Sequence, residues 1–221
     1  MNKDSYLFLF GGNPSQEEAS VAFAKKAGGA QAKIALLLIY RDGWQEYLPR
    51  YTKYWIEDGV KDKNIHVIIS DQNGKIDYSY AKEVIQSSTG IFIGGGHTET
   101  YHAIYTSEPF KSLIQNKYNS GVPIAGNSAG ALLSTTTVLL SPIDTNNEKA
   151  MIINGLGLLS NVLISVHYTK WNDAENLKKG LLKTGIKIGY GIDDQACLIF
   201  KNNKVHSYLG EEHVHILEIE E

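Results

Sequence analysis

The sequence predicts an α/β protein built on a doubly wound, mostly parallel sheet, with antiparallel strands near its C-terminal end. Three observations lead there. Short apolar runs with few polar interruptions recur at residues 6–10, 33–40, 66–69, 90–93 and 122–125, as strands buried on both faces require. Helix-like stretches separate them at 16–27, 45–59, 78–87 and 100–116, the alternation expected of βαβ units with right-handed crossovers. The rhythm then changes. A strand at 162–166 and a helix at 172–184 precede four short β-like runs, at 187–192, 196–200, 204–209 and 213–219.

The run Tyr6–Phe10 stops at Gly11-Gly12. It is shorter than the ~7–15 apolar residues of a signal-peptide core and the ~20 of a membrane span, so it reads as a first buried strand. The run 33–40 ends before Arg41, and 66–69 begins on His66. The run 90–93 enters Gly94-Gly95-Gly96-His97, and 122–125 enters Gly126-Asn127-Ser128-Ala129-Gly130. Later, 162–166 closes on His167 and 187–192 on Asp193-Asp194. Asn202-Asn203 between two of the last runs is hairpin turn chemistry. These runs are expected to extend the parallel core as antiparallel strands. No repeat, linker or composition break divides the chain, so residues 1–221 are expected to form one domain.

Composition narrows the function classes. At 43% hydrophobic and 20% charged, the 221 residues should bury roughly 70% of the unfolded chain's surface. A net charge of −3 leaves no footprint for nucleic acid or an anionic membrane. A single cysteine, Cys197, excludes an internal disulfide and a cysteine-based zinc cluster. A cytoplasmic protein without cofactor or metal is the resulting expectation, with a small peptide substrate as its partner and a homodimer as the candidate assembly.

The segment 122–133 carries the chemistry. A strand, a Gly-x-Ser-x-Gly turn and the start of a helix form a candidate nucleophile elbow at Ser128. Small neighbours (Gly126, Ala129, Gly130, Ala131) let the backbone turn sharply. The alternative is a tight turn with Ser128 as a helix cap or an anion site. A second glycine-rich turn follows the strand at 90–93, and loops at strand C-terminal ends share one crevice. The N–H groups of Gly96 and Ala129 could therefore meet a developing oxyanion, each such donor being worth about 2.7–4 kcal/mol.

Serine needs a base. Of seven histidines, His167 stands at a strand's C-terminal end. His66 starts a strand at the opposite edge. His206, His213 and His215 belong to the C-terminal runs, while His97 and His102 flank the glycine loop. A His-x-His pair such as His213 and His215 could hold a metal only with further ligands. An orienting acid could come from Asp193 or Asp194, or from Asp144 in the loop after the elbow helix.

Together, Gly-Gly-Gly before a helix, Gly-Asn-Ser-Ala-Gly-Ala, a strand ending in His and Gly-Ile-Asp-acid resemble the S51 serine peptidases. These are the dipeptidase E and cyanophycinase group, and the resemblance runs from about Leu7 to Phe200. It implies a class I glutamine-amidotransferase-like (flavodoxin-like) α/β fold with serine in place of the amidotransferase cysteine. It also implies a triad in the order Ser, His, acid, mapping onto Ser128, His167 and Asp194. Members commonly carry Glu at the acid position, where this chain has Asp. Cyanophycinase-like members follow the histidine with an arginine-rich stretch, where this chain reads Tyr168-Thr169-Lys170-Trp171-Asn172.

The dipeptidases of this group cut after an N-terminal aspartate, so a cation should hold a carboxylate. Arg41 and Arg50 are the only arginines. Arg41, just after a strand end, and Lys170, three residues past His167, are the candidates, with His97 as a further substrate contact. A serine peptidase acting on a small peptide or isopeptide is the expected function. An esterase or acyltransferase on the same elbow, and a catalytically silent ligand-binding protein, are the competing classes.

Overall fold

Period-two alternation sorts the strand side chains onto two faces. In the computed structural model, which describes residues 4–14 and 16–220, this is clearest in β1 (Tyr6–Phe10). Phe8 and Phe10 point to one face, where Phe8 meets Phe23 of α1 (Glu17–Lys26) at a ring separation of 5.8 Å. Trp55 of α2 (Trp44–Glu57) closes this layer, 5.2 Å from Phe92. Leu7 and Leu9 point the other way, into the second core layer.

The chain continues through β2 (Ile34–Leu38), β3 (Ile65–Ile69), α3 (Tyr78–Ser87), β4 (Gly90–Ile93), α4 (Thr98–Tyr105), α5 (Phe110–Asn119) and β5 (Ile124–Asn127). Ile85 of α3, Tyr101 and Tyr105 of α4 and Ile114 of α5 pack with Leu7 and Leu9. Helices therefore cover both faces, as the unbroken burial of Ile34–Leu38 demands. The expected helix at 100–116 is two helices. Pro109 between them supplies no N–H, and its ring opposes a continuing helix.

The principal sheet has the order β11-β10-β1-β5-β4-β2-β3, with β10 (Cys197–Lys201) and β11 (Lys204–Leu209) at one edge. Strands β1 to β5 are parallel, and β10 is antiparallel to β1. The stretch β3-β2-β4-β5 follows the flavodoxin strand order, with β1 added beyond β5.

One expectation needs correcting. The runs 162–166, 187–192 and 213–219 do not extend this sheet. β8 (Val162–Val166) and β9 (Ile188–Ile192) pair with each other in parallel and, with β12 (Val214–Glu218), form a separate three-stranded sheet. Pairing of β8 with β9, and of β9 with β12, satisfies the backbone groups of these runs without an edge of the principal sheet. The short α6 (Ala129–Leu133) leads into a hairpin of β6 (Thr137–Leu140) and β7 (Met151–Asn154) that the sequence reading did not include. Helix α7 (Ala174–Thr184) packs on β8 and β9 through Leu177 and Leu181. Among the described residues, no helix is long and apolar enough to cross a membrane.

Candidate active site

The small sheet brings the C-terminal ends of β8 and β9 against those of β1 and β5. The N–H of His167 donates to the Gly11 carbonyl at 3.0 Å, and that of Gly11 to Ala196 at 3.1 Å. Ser128, His167 and Asp194 therefore meet, although they come from different sheets.

Ser128 occupies the sharp turn between β5 and α6, with φ 52° and ψ −110°. A non-glycine residue there stores about 1–3 kcal/mol, which its surroundings must over-determine. They do so through several hydrogen bonds. Ser128 N–H donates to Phe10 O at 3.0 Å, Gly130 N–H to Gly94 O at 3.2 Å, and Leu132 N–H to Ser128 O at 3.0 Å. A side chain at Gly126 would collide with the Gly130 carbonyl, and one at Gly130 with the Ile93 carbonyl. The glycines of the motif are required by this close approach.

Ser128 Oγ lies 2.9 Å from His167 Nε2, and His167 Nδ1 contacts Asp194 Oδ1. A carboxylate can only accept, so Nδ1 carries the imidazole proton and the Nε2 lone pair faces the serine hydroxyl. His167 has φ 50°, and its ring packs on Trp171 with centroids 4.4 Å apart. Gly12 completes the fit, because a side chain there would enter the space of Asp194 and the His167 ring.

The three candidate acids separate cleanly. Asp193 turns away from His167 and accepts hydrogen bonds from Thr169 and His215. Asp144 accepts from Thr98 Oγ1 at 2.6 Å, whereas the two ring nitrogens of His167 face Ser128 and Asp194. Burial raises the Asp144 carboxyl to about 6, against the lowering effect of the Thr98 bond. Among the described residues, no hydrogen bond within the protein occupies the N–H of Gly96 or of Ala129. Gly95 N–H, by contrast, donates to Tyr51 Oη at 3.1 Å.

Beside the serine is a cavity of about 260 Å³ whose lining includes Ser128, His167 and Trp171 together with Arg41, Arg50, Tyr47 and Asp144. The Arg41 guanidinium stacks 3.2 Å over the Tyr47 ring, with Arg50 at 4.9 Å from the same ring. Asn127 also lines the cavity, and its amide oxygen is buried without a partner.

Two expected substrate contacts are placed elsewhere. Lys170 Nζ lies 3.4 Å from Asp194 Oδ2, and its side chain lines a neighbouring cavity instead of the serine's. His97 caps α4 and hydrogen-bonds Thr100 Oγ1 and Asn146 on the far side of the glycine loop. Both misplacements have one cause: loop side chains follow no periodicity, so adjacency in sequence does not fix their direction. His102 bonds the Asn154 carbonyl, His206 packs on Tyr6, and His66 pairs within β3 opposite Ala35. The sequence reading missed Gly12, Trp171, Tyr47 and the cavity positions of Arg50 and Asp144. Only Gly12, in a glycine pair at a strand end, carried a visible signal.

The family profile of peptidase family S51 matches residues 7–208. The chain belongs to peptidase family S51. It is thus a serine-type peptidase by family, with the class I glutamine-amidotransferase-like fold. Similar curated proteins are a cyanophycinase of Geminocystis herdmanii, 24% identical over 87% of this chain and 71% of that protein, and one of Nostoc sp., 23% identical over 76% and 57%. Among solved structures, a peptidase from an acI-B1 Actinobacterium matches with a TM-score of 0.73 at 20% identity, covering 97% of this chain and 91% of the other. A putative peptidase E protein from Listeria monocytogenes EGD-e matches with a TM-score of 0.67 at 16% identity, covering 94% and 100%. At these identities the structural likeness concerns the fold.

Proposed function

We propose that this S51 peptidase hydrolyses the peptide or isopeptide bond of a short, carboxylate-bearing substrate through Ser128, His167 and Asp194. The observation that carries the reading is the hydrogen-bonded line from Ser128 Oγ through both nitrogens of His167 to Asp194, set on a strained strand-to-helix turn. In this mechanism Ser128 Oγ attacks the scissile carbonyl while His167 Nε2 takes the hydroxyl proton. Asp194 holds the tautomer and balances the imidazolium. The oxyanion is met by the N–H groups of Gly96 and Ala129. His167 then protonates the leaving amine, and water repeats the sequence on the acyl-enzyme.

The cavity supports a small substrate. Its volume of about 260 Å³ lies just below the ~300–1,000 Å³ typical of small-ligand sites. Two guanidiniums and one carboxylate line it, which matches a zwitterionic peptide end. Arg41 and Arg50 would bind a carboxylate in the bidentate way open to Arg, and Asp144 would face an ammonium. The cyanophycinase relatives and the peptidase E neighbour support peptide chemistry, and the Arg pair supports an acidic residue beside the scissile bond.

A panel of dipeptides with Asp, Glu, Asn or Ala at the first position tests this on wild type, Ser128→Ala and Arg41→Ala. Acidic dipeptides should be preferred, and Ser128→Ala should be inert. Arg41→Ala should raise KM for the acidic members about 10- to 100-fold, because a hydrogen bond to a charged group is worth about 1.5–3 kcal/mol. Equal wild-type rates across the panel would remove the acidic preference. Turnover of esters but of no peptide would replace the peptidase by an esterase on the same elbow.

A further inference from the structure

Two carboxylates follow β9 in succession, and only Asp194 meets His167. Asp193 is 8% exposed, and its carboxylate is almost fully engaged. Oδ1 accepts the Thr169 N–H at 2.7 Å, and Oδ2 accepts the Thr169 hydroxyl at 2.9 Å. His215 Nε2 of β12 lies 3.0 Å from Oδ2, with His213 Nδ1 at 3.8 Å. Burial pushes this carboxyl up, but the bonds from His215 and Thr169 outweigh it and hold it below its ordinary value. The group is an ionised anchor outside the lining of the serine cavity.

What it anchors is the turn that bears His167. Thr169 sits two residues past the histidine, inside a short hydrogen-bonded loop. Trp171 N–H donates to His167 O at 2.8 Å, Asn172 N–H to Thr169 O at 3.1 Å, and Asp173 N–H to Tyr168 O at 3.0 Å. The turn's far end is tied by Ser165 Oγ to Asp173 at 2.6 Å. Tyr168 is clamped between the His215 ring, 4.8 Å away, and the bare backbone of Gly191. His167 has a left-handed backbone, which persists only where neighbours enforce it. Asp193 grips the residue whose displacement would carry both His167 and the Trp171 ring that packs on it.

We infer that Asp193, through Thr169 and with His215 behind it, is the positioning residue that sets the His167 imidazole between Ser128 and Asp194. This rests on the reading of His167 as the base, and it concerns a residue that touches neither the substrate nor the reacting atoms. A misplacement of about 1 Å at a catalytic group costs on the order of 10²-fold in rate, so the effect should fall on kcat and leave KM unchanged.

The test compares Asp193→Asn, Thr169→Val and Thr169→Ser with wild type. Two readouts are taken: kcat and KM on the best-cleaved dipeptide of the panel above, and the far-downfield proton NMR signal of the His167 Nδ1–H. Asp193→Asn should lower kcat about 10- to 100-fold with KM unchanged, and should broaden or shift the imidazole signal. Thr169→Val, which keeps the N–H and removes only the hydroxyl, should do the same more weakly, and Thr169→Ser should restore wild-type values. A kcat unchanged in Asp193→Asn, with the imidazole signal intact and only thermal stability reduced, would overturn the proposal. So would a rise in KM at constant kcat. The signal needs no turnover. If wild type cleaves no peptide, the functional reading fails, while loss of the signal in Asp193→Asn still sustains the positioning role.

Discussion

Asp144→Asn should make the protein more stable at neutral pH while weakening its grip on substrate. Burial raises the Asp144 carboxyl to about 6, whereas an aspartate in the unfolded chain titrates near ~3.9. The folded state therefore holds on to a proton that the unfolded state gives up between about pH 4 and 6. Stability is lost as the pH rises through that window. Two pH units at 1.36 kcal/mol each make the ionised carboxylate's cost about 3 kcal/mol. Asparagine can still accept the Thr98 hydroxyl, so the substitution removes the charge and keeps the hydrogen bond. Urea titrations of both proteins at half-unit steps from pH 4 to 8 give the result directly. The variant should match wild type at pH 4, gain progressively to pH 6, and stay about 3 kcal/mol more stable above pH 7. A difference constant with pH would refute the buried-charge argument. In parallel, the variant's KM should rise for dipeptides with a free amino terminus and not for their N-acetylated forms. Stability given up for a charged group in a cavity is the usual mark of function.

Two further outcomes follow from the geometry. Asp194→Asn should lower kcat by about 10⁴ near neutral pH with little change in KM, since an amide can favour the wrong imidazole tautomer; steady-state kinetics check this, and a loss under tenfold would mean that another acid serves His167. Gly12→Ala should cut kcat while Ser128→Ala alone leaves thermal stability intact, because the added methyl must displace Asp194 or the His167 ring; a fully active Gly12→Ala variant, measured on the same dipeptide, would show that the close approach is dispensable.

Much of the site was legible because strand ends and small-residue turns leave strong marks. The run Val122–Ala125 followed by Gly126-Asn127-Ser128-Ala129-Gly130 announced the elbow, and the glycines there prove to be forced by backbone contact with Gly130 and Ile93. His167 and Asp194 stood out as polar residues closing apolar runs. The partnering of β8 with β9 in a second sheet was not legible, because an apolar run shows that a strand is buried but not which edge accepts it. Hairpin β6–β7 lacks a tight-turn signature, its two strands being joined by residues 141–150. The break before α5 carries a signal of its own in Pro109, which supplies no N–H to a continuing helix. Choosing Asp194 over Asp193 from residue type alone was not possible, since both follow the same strand and only three-dimensional contact separates them. The direction of His97 and Lys170 was undecidable for the same reason.

Active-site titration decides whether Ser128 is a nucleophile activated by His167 and Asp194. Wild type treated with a fluorophosphonate should take up one equivalent of label. Peptide mapping should place that label on Ser128, and it should be absent from Ser128→Ala and strongly slowed in a His167→Ala variant. Wild type that stays unlabelled, or a label on any other residue, would show that Ser128 is not the activated nucleophile.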